Sequence, residues 1–177
     1  MSLRGHRRGS ASQVPVERYL IVSLNAQQFA LAADLIQGLL TLEESRSTGT
    51  LTVQGQEYPP LSLAGQLGLV EAGDGPETRH VLIGRAGIRA SIRVEQVHGL
   101  VEVERTRVLP LPGQFHSDER NWFVGLILVH EGVAVGLNSA WLMGAAMQGS
   151  RGVTAQETRQ PQLAHVASSG MGKGLVC

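Results

Sequence analysis

The amino-acid sequence predicts an all-β fold made of two similar halves, each curled into a small barrel. The first observation is an internal repeat: residues 18–43 lie on residues 79–104 without a gap after a shift of 61 positions (79 − 18). The second is that each copy holds two short aliphatic runs around a polar turn, which is the pattern of a β-hairpin. A small sheet of about five strands has exposed edges, and closure into a barrel removes them.

The repeat aligns more than aliphatic residues. The acidic residue Asp34 aligns with Glu95, and Gly38 aligns with Gly99. The alternative is that any two amphipathic hairpins resemble each other. The matched acid and glycine in an ungapped run favour a true repeat.

The first half begins with a hairpin. Its arms are residues 18–24 and 29–36, which are rich in β-branched and aliphatic residues. The second arm continues beyond Gly38, where we expect a bulge or bend. A helix over residues 30–40 is the alternative, because Ala, Leu and Gln favour helices. The β-branched residues at the equivalent places in the second copy favour a strand.

A second, shorter hairpin completes the first half. Residues 50–53 form one arm, residues 54–57 form a turn, and the other arm starts at Tyr58. The two prolines that follow Tyr58 have no backbone N–H, so this arm is short or lies at a sheet edge. One helical turn is expected over residues 64–69.

The second half repeats this order with a longer connection. Prolines hold residues 108–112 extended. A hairpin over residues 122–137 follows, and then a short helix at residues 139–148 with Asn138 or Ser139 as its cap. The offset between the halves grows from 61 to 76 here, so we expect 15 extra residues (76 − 61) in the loop before the last hairpin.

These elements define one central domain with two tails. Residues 1–16 form a basic leader and residues 149–177 a tail, and both are predicted to be disordered, since neither has an apolar period. The domain spans residues 17–148. Its first barrel is expected at about residues 17–70 and includes the C-terminal helix. Its second barrel is expected at residues 79–142.

Composition excludes several classes of function. Lys and Arg number 15, as do Asp and Glu, and aromatic residues make up only 4%, so neither nucleic acid nor anionic lipid is an expected partner. The one cysteine, Cys177, cannot form an internal disulfide. No apolar run approaches the roughly 20 residues of a membrane helix, so we expect no membrane insertion and a cytoplasmic protein.

The sequence also lacks a recognisable catalytic or metal-binding pattern. The glycines of residues 170–174 do not match a phosphate loop, which needs a Ser or Thr after the lysine. No two of the six histidines have a metal-ligand spacing. The adjacent residues His116, Ser117 and Asp118 cannot form a hydrolytic triad. We therefore expect neither an enzyme, nor a metal, nor a cofactor.

Four stretches of the chain carry a family resemblance. They are the opening hairpin at residues 18–42, the segment VEQVHGLVEV at 94–103, the segment VLPLP at 108–112, and the closing hairpin and helix start at 126–142. In this order and spacing they resemble the CheW-like adaptor, or coupling protein, family of bacterial chemotaxis. The resemblance covers roughly residues 17–146.

The resemblance implies a fold, a role and partners. The fold would be two small five-stranded SH3-like barrels packed side by side, with short helices at connections and near the C-terminus. Family members catalyse nothing and need no cofactor. They couple the cytoplasmic tip of a methyl-accepting chemoreceptor to the regulatory domain of a CheA-type histidine kinase, and they dock barrel to barrel with that domain.

The resemblance also implies a partner-binding surface on the first barrel, with one departure. The family motif N-L-R-G appears here as Thr52-Val53-Gln54-Gly55, so Gln54 replaces the arginine, and Ser62 replaces a later aspartate. The candidate partner-binding residues are Ile36, Gln37, Leu39, Gln54, Gly55 and Tyr58. Ordinary packing is the alternative for Ile36, Leu39 and Tyr58, and a plain turn for Gln54.

Two other functions remain open at the level of sequence. The missing arginine is compatible with a degenerate family member that modulates or caps receptor arrays. A small β-barrel that binds an oligosaccharide or a nucleic acid is a second alternative, although it predicts a basic, aromatic-rich face that this composition does not favour.

Overall fold

The computed structural model describes residues 15–45, 49–71, 73–130 and 132–156. Most of the predicted leader, and the predicted tail from residue 157 on, lie outside these ranges. The described strands are β1 (Val16–Leu24), β2 (Gln27–Ala32), β3 (Ile36–Thr41), β4 (Leu51–Val53), β5 (Gln56–Tyr58), β6 (Pro60–Leu61), β7 (Arg79–Arg85), β8 (Ile88–Val94), β9 (Gln96–Glu104), β10 (Phe123–Val129) and β11 (Gly132–Leu137). The described helices are α1 (Leu63–Gln66) and α2 (Ser139–Gln156), with 3₁₀ turns at Ala33–Leu35, Arg105–Arg107 and Glu119–Asn121.

The all-β class is confirmed. Sheet A has the order β10-β11-β2-β1-β9, sheet B has the order β3-β7-β8-β6, and β4 and β5 form a separate ribbon. Within the described ranges both larger sheets are open, since β10 and β9 lie at opposite edges of sheet A and β3 and β6 at opposite edges of sheet B. The hydrogen bonding therefore leaves edges where closed barrels were expected.

Two-residue turns set the register of the hairpins. Asn25 and Ala26 both have positive φ, as do Ala86 and Gly87, which is the geometry of the turns that suit the twist of paired strands. The turn at Asn25 carries no glycine, and the Glu95 carboxylate accepts hydrogen bonds from the backbone N–H groups of Asn25 and Ala26. This contact also ties the second half of the chain to the first.

The strand pairing reproduces the repeat residue by residue. In the β1–β9 pair, Arg18 lies opposite Glu102, and in the β3–β7 pair, Arg79 lies opposite Thr41. Residue 79 is residue 18 plus 61, and residue 41 is residue 102 minus 61, so the repeat maps the first strand pair onto the second. The register irregularity also recurs, in β9 beside Gly99 and in β3 beside Gly38. The bulge that we expected at Gly38 is therefore present.

The same pairing exchanges the third strand of each half. β3 follows β2 in the chain but pairs with β7, and β9 follows β8 but pairs with β1. The 3₁₀ turn at Ala33–Leu35 redirects the chain after β2, and the buried Leu35 fixes that turn in the core. The sheets thus do not follow the division expected at residues 17–70 and 79–142, because each draws strands from both halves.

Apolar side chains form a central core and two smaller interiors. The central core lies between the sheets and includes Leu20, Leu35, Val81, Ile83 and Leu142. The sheet A interior is formed by Tyr19, Ile21, Ala30, Val103, Ile127 and Ala134. The sheet B interior is formed by Leu51, Tyr58 and Leu82. Offsets of 61 and 76 place Ile21 on Leu82 and Ile127 on Leu51, so the two interiors are equivalent.

The helix α2 closes one side of sheet B. Asn138 caps it as expected, because its Oδ1 accepts a hydrogen bond of 2.9 Å from the Ala140 N–H. The helix continues to Gln156, beyond the predicted end at residue 148, so residues 149–156 do not belong to a disordered tail. An existing helix adds further residues at little cost, even without an apolar stripe.

The described ranges lack two general features. They contain no helix that is long and apolar enough to cross a membrane. Nor does this part of the chain contain a group of three or more His, Cys, Asp and Glu side chains that could hold a metal ion.

Candidate partner-binding surface

The six candidate residues lie on two elements that pack together. Ile36, Gln37 and Leu39 are on β3, an edge strand of sheet B. Gln54, Gly55 and Tyr58 are on the ribbon formed by β4 and β5. Leu40 of β3 packs against the cluster that holds Tyr58, so the ribbon lies over the inner face of sheet B next to this edge.

Tyr58 joins the ribbon to the edge strand. Its hydroxyl donates a hydrogen bond of 2.8 Å to Oε1 of Gln37. Its ring packs with Leu51 and Leu82 and is only 5% exposed. The side chain of Gln37 lies flat over Gly84, where an added Cβ would approach its Nε2 to 2.4 Å. Tyr58 therefore positions Gln37 and has little surface to offer to a partner.

The two apolar candidates on β3 differ in exposure. Ile36 is half-buried and packs against the central core. Leu39 is 45% exposed, while its neighbour Leu40 turns toward the sheet B interior. Of these residues, Leu39 offers the larger apolar contact, on an edge strand whose outer backbone groups pair with no other strand among the described residues.

Gln54 and Gly55 form the exposed tip of the ribbon. Both have positive φ, at 51° and 76°, so this is the same kind of turn as at Asn25. A Cβ added at Gly55 would have no neighbour within 4 Å. The side chain of Gln54 is exposed as well. The accessible part of the candidate surface is therefore Gln37, Leu39, Gln54 and Gly55.

Sequence reasoning missed an equivalent surface on sheet A. The offset of 61 places His98 on Gln37 and Leu100 on Leu39. His98 Nε2 lies 2.6 Å from Ser23 Oγ, and Leu100 is 63% exposed on the edge strand β9. The repeat already contained the signal for these residues, because the shift that aligned the strands also aligned their outward-facing side chains.

We expect Tyr58→Phe to lower the free energy of unfolding by about 1 kcal/mol, because it removes one hydrogen bond and keeps the ring. Chemical denaturation of the purified protein measures the change. Tyr19→Phe is the control, since the Tyr19 hydroxyl also donates a side-chain hydrogen bond, to the Glu17 carboxylate, but that bond joins two residues of the same strand. An unchanged stability for Tyr58→Phe would show that its bond to Gln37 does not hold the ribbon in place.

Comparison with known families identifies the class of protein. The family model of the CheW-like domain matches residues 18–146, which covers both sheets and the start of α2. The chain belongs to the CheW-like family. A search of curated protein sequences finds no match.

A solved CheW structure has the same fold. This CheW-like protein is similar to the scaffolding protein TtCheW from Thermoanaerobacter tengcongensis, known from a crystal structure, with a TM-score of 0.56 and 14% sequence identity. The match covers 70% of this chain and 90% of that one. At this identity the likeness establishes the fold, and the family match carries the scaffold role in chemotaxis.

Proposed function

We propose that this CheW-like protein is a non-enzymatic adaptor in the cytoplasm that couples methyl-accepting chemoreceptors to a CheA-type histidine kinase. The observation that carries the proposal is the family match across residues 18–146, because it spans the whole two-sheet unit rather than a short motif. Adaptors of this kind work by presenting surfaces, and they need no reactive group.

The edge strands supply the surfaces that the proposal needs. β3 and β9 each lie at the edge of a sheet, and each carries an exposed leucine, Leu39 or Leu100. A protein with two such edges can contact two partners at once. We assign the surface around Gln37, Leu39, Gln54 and Gly55 to the regulatory domain of the kinase and the receptor tip.

Reconstitution tests the proposal. The full chain is mixed with receptor-containing membranes and a CheA-type kinase from the same genome, and kinase autophosphorylation is measured with and without the protein. We expect receptor-dependent activation that requires the protein. If neither the kinase nor a receptor is retained on the immobilised protein, and activation is absent, the adaptor role is wrong.

Gln54 motivates a second candidate, a family member that caps or modulates arrays. Its side chain stands at the exposed tip of the ribbon, where the family motif has arginine. Under the adaptor proposal we expect Gln54→Arg to change receptor-coupled kinase activity by no more than about twofold. A cap would instead gain coupling when the arginine is restored. Thr52→Arg, an exposed position on the same ribbon, controls for the added charge.

A further inference from the structure

Arg89 on β8 is a half-buried arginine without a partner. Arg79 and Arg93 are half-buried too, but each of them forms an ion pair with a carboxylate. Arg89 forms neither an ion pair nor a hydrogen bond, and its Nε atom is buried. An arginine that is removed from water to this extent is normally paired, so the missing partner calls for an explanation.

The terminal nitrogens of Arg89 reach the surface. Among the described residues, the buried side-chain atoms without a partner are Gln28 Oε1, His80 Nδ1, Arg89 Nε and Ser91 Oγ. The two Nη atoms of Arg89 also have no partner, and they are not among these buried atoms. An incoming group can therefore contact the end of the guanidinium, although it cannot reach Nε.

Gln37 holds a second donor next to Arg89. Arg89 lies directly opposite Gly84 in the β7–β8 pair, so its side chain is on the face toward which a Cβ of Gly84 would point. The amide of Gln37 fills that space, since its Nε2 would collide with such a Cβ. The Tyr58 hydroxyl donates to Gln37 Oε1, which leaves Nε2 to donate elsewhere.

The repeat supports the grouping of these side chains with the tip of the ribbon. In sheet A, a crevice of about 290 Å³ has Gln28, His98 and His130 in its wall. Shifts of 61 and 76 residues carry these three onto Arg89, Gln37 and Gln54. Because the two interiors are equivalent, Arg89 and Gln37 lie at the end of sheet B where the ribbon tip stands.

The charge of Arg89 is not balanced by the neighbouring ribbon. The ribbon has one acidic residue, Glu57, which precedes the buried Tyr58 in β5 and therefore points to the opposite face. Arg89 and Gln37 thus offer N–H donors on one face without an acceptor. A carboxylate matches them, because it accepts hydrogen bonds from both and carries the opposite charge.

We propose that Arg89, together with Gln37, binds an Asp or Glu side chain of the kinase regulatory domain when that domain docks on the surface around Gln54. This inference rests on the proposed adaptor function and names the chemistry of the partner at that surface. Folding has already removed part of the water around Arg89. An acid that arrives with the partner therefore contributes more to affinity than a pair at a fully exposed position.

Titration calorimetry of the full chain with the purified regulatory domain of the kinase tests the proposal. We expect Arg89→Gln to weaken binding at least about tenfold, because it removes a charged pair from the interface. Arg89→Glu should weaken it at least about a hundredfold, since it also repels the acid of the partner. Arg107→Gln is the matched control for net charge, because Arg107 is exposed on the 3₁₀ turn after β9, and it should alter the affinity by no more than about twofold.

Two further measurements separate binding from support of the fold. Arg89→Gln introduces the residue that the repeat carries at position 28, so we expect its midpoint in urea to be no lower than that of the wild type. Exposed Asp and Glu residues of the regulatory domain are then changed to Lys one at a time. One of these changes should restore the binding of Arg89→Glu at least about tenfold, which no structural role of Arg89 would produce.

Three results would overturn the proposal. Wild-type affinity in folded Arg89→Gln would reject the role of Arg89 and leave the adaptor function intact. Failure of every lysine substitution in the regulatory domain to restore Arg89→Glu would reject the acidic contact. Weakened retention of the receptor tip by Arg89→Gln, with unchanged kinase binding, would show that the assignment to the kinase is wrong. Absence of any binding between the wild-type chain and the regulatory domain is distinguishable from all three, because it rejects the docking on which the inference rests.

Discussion

Substitution of Gly125 by alanine is expected to lower the free energy of unfolding by about 3–5 kcal/mol, which is a large share of the stability of a domain of this size. Gly125 has a φ of 149°, a conformation that residues with a Cβ rarely adopt. A Cβ there would also lie 2.5 Å from the carbonyl oxygen of Leu109 and 2.7 Å from Val108.

The collision matters because it involves backbone that cannot move away at low cost. Leu109 and Leu126 exchange two backbone hydrogen bonds of 2.8 Å, which attach the proline-bearing segment to β10. Relief of the contact at Gly125 would lengthen or break these bonds. The proline-bearing segment would then lose these two backbone bonds to sheet A.

Gly132→Ala is the matched control. Gly132 has a nearly equal φ of 143°, but a Cβ there would meet no atom within 4 Å. We expect this variant to lower the free energy of unfolding by about 1–3 kcal/mol, because only the unfavourable backbone conformation contributes. Urea unfolding of both variants measures the difference. Equal losses would mean that the approach of Leu109 to β10 is not tight.

The repeat was the part of the fold that the sequence specified best. Strand positions and turns depend on local patterns, such as the period of two and the polar pair at Asn25, and a second copy tests each assignment independently. The strand at Ile36 is an example. Its own composition allows a helix, and the equivalent β-branched residues correctly indicated a strand.

The pairing of the third strands could not be read from the sequence. β3 and β9 are near-copies, so each has the apolar pattern needed to pair with either first strand. The choice depends on where the turn at Ala33–Leu35 and the bend at Glu95 direct the chain, which is a question of tertiary packing. The same limit explains why open sheets stand where closed barrels were expected.

The placement of the candidate residues in the fold was predicted in part, and their binding role stays a prediction. The motif placed Gln54 and Gly55 correctly at an exposed turn, because turn chemistry is local. It also led to Tyr58, whose ring is buried, since a motif marks a position without saying which way its side chain faces. Exposure of an aromatic residue depends on what packs over it, here Leu51 and Leu82 from different elements.

Leu39→Asp is expected to weaken binding of the kinase regulatory domain at least about tenfold. Leu39 is the accessible apolar residue of the surface on β3, and truncation or charge at a central apolar contact commonly costs an interface more than about 1 kcal/mol. The substitution should leave folding intact, since exposed positions usually tolerate such changes within about 0.5 kcal/mol. Calorimetry with the purified regulatory domain, or its capture on the immobilised protein, measures the loss.

Leu100→Asp provides the comparison that gives this experiment its meaning. Leu100 is the repeat equivalent of Leu39, is more exposed, and lies on the edge strand of the other sheet. If the kinase binds the surface on β3, Leu100→Asp should alter its affinity by no more than about twofold. Loss of binding only in Leu100→Asp would move the kinase site to sheet A. Wild-type affinity in both variants would contradict the assignment of the kinase to either edge strand, because each edge would have been altered at its exposed leucine without effect.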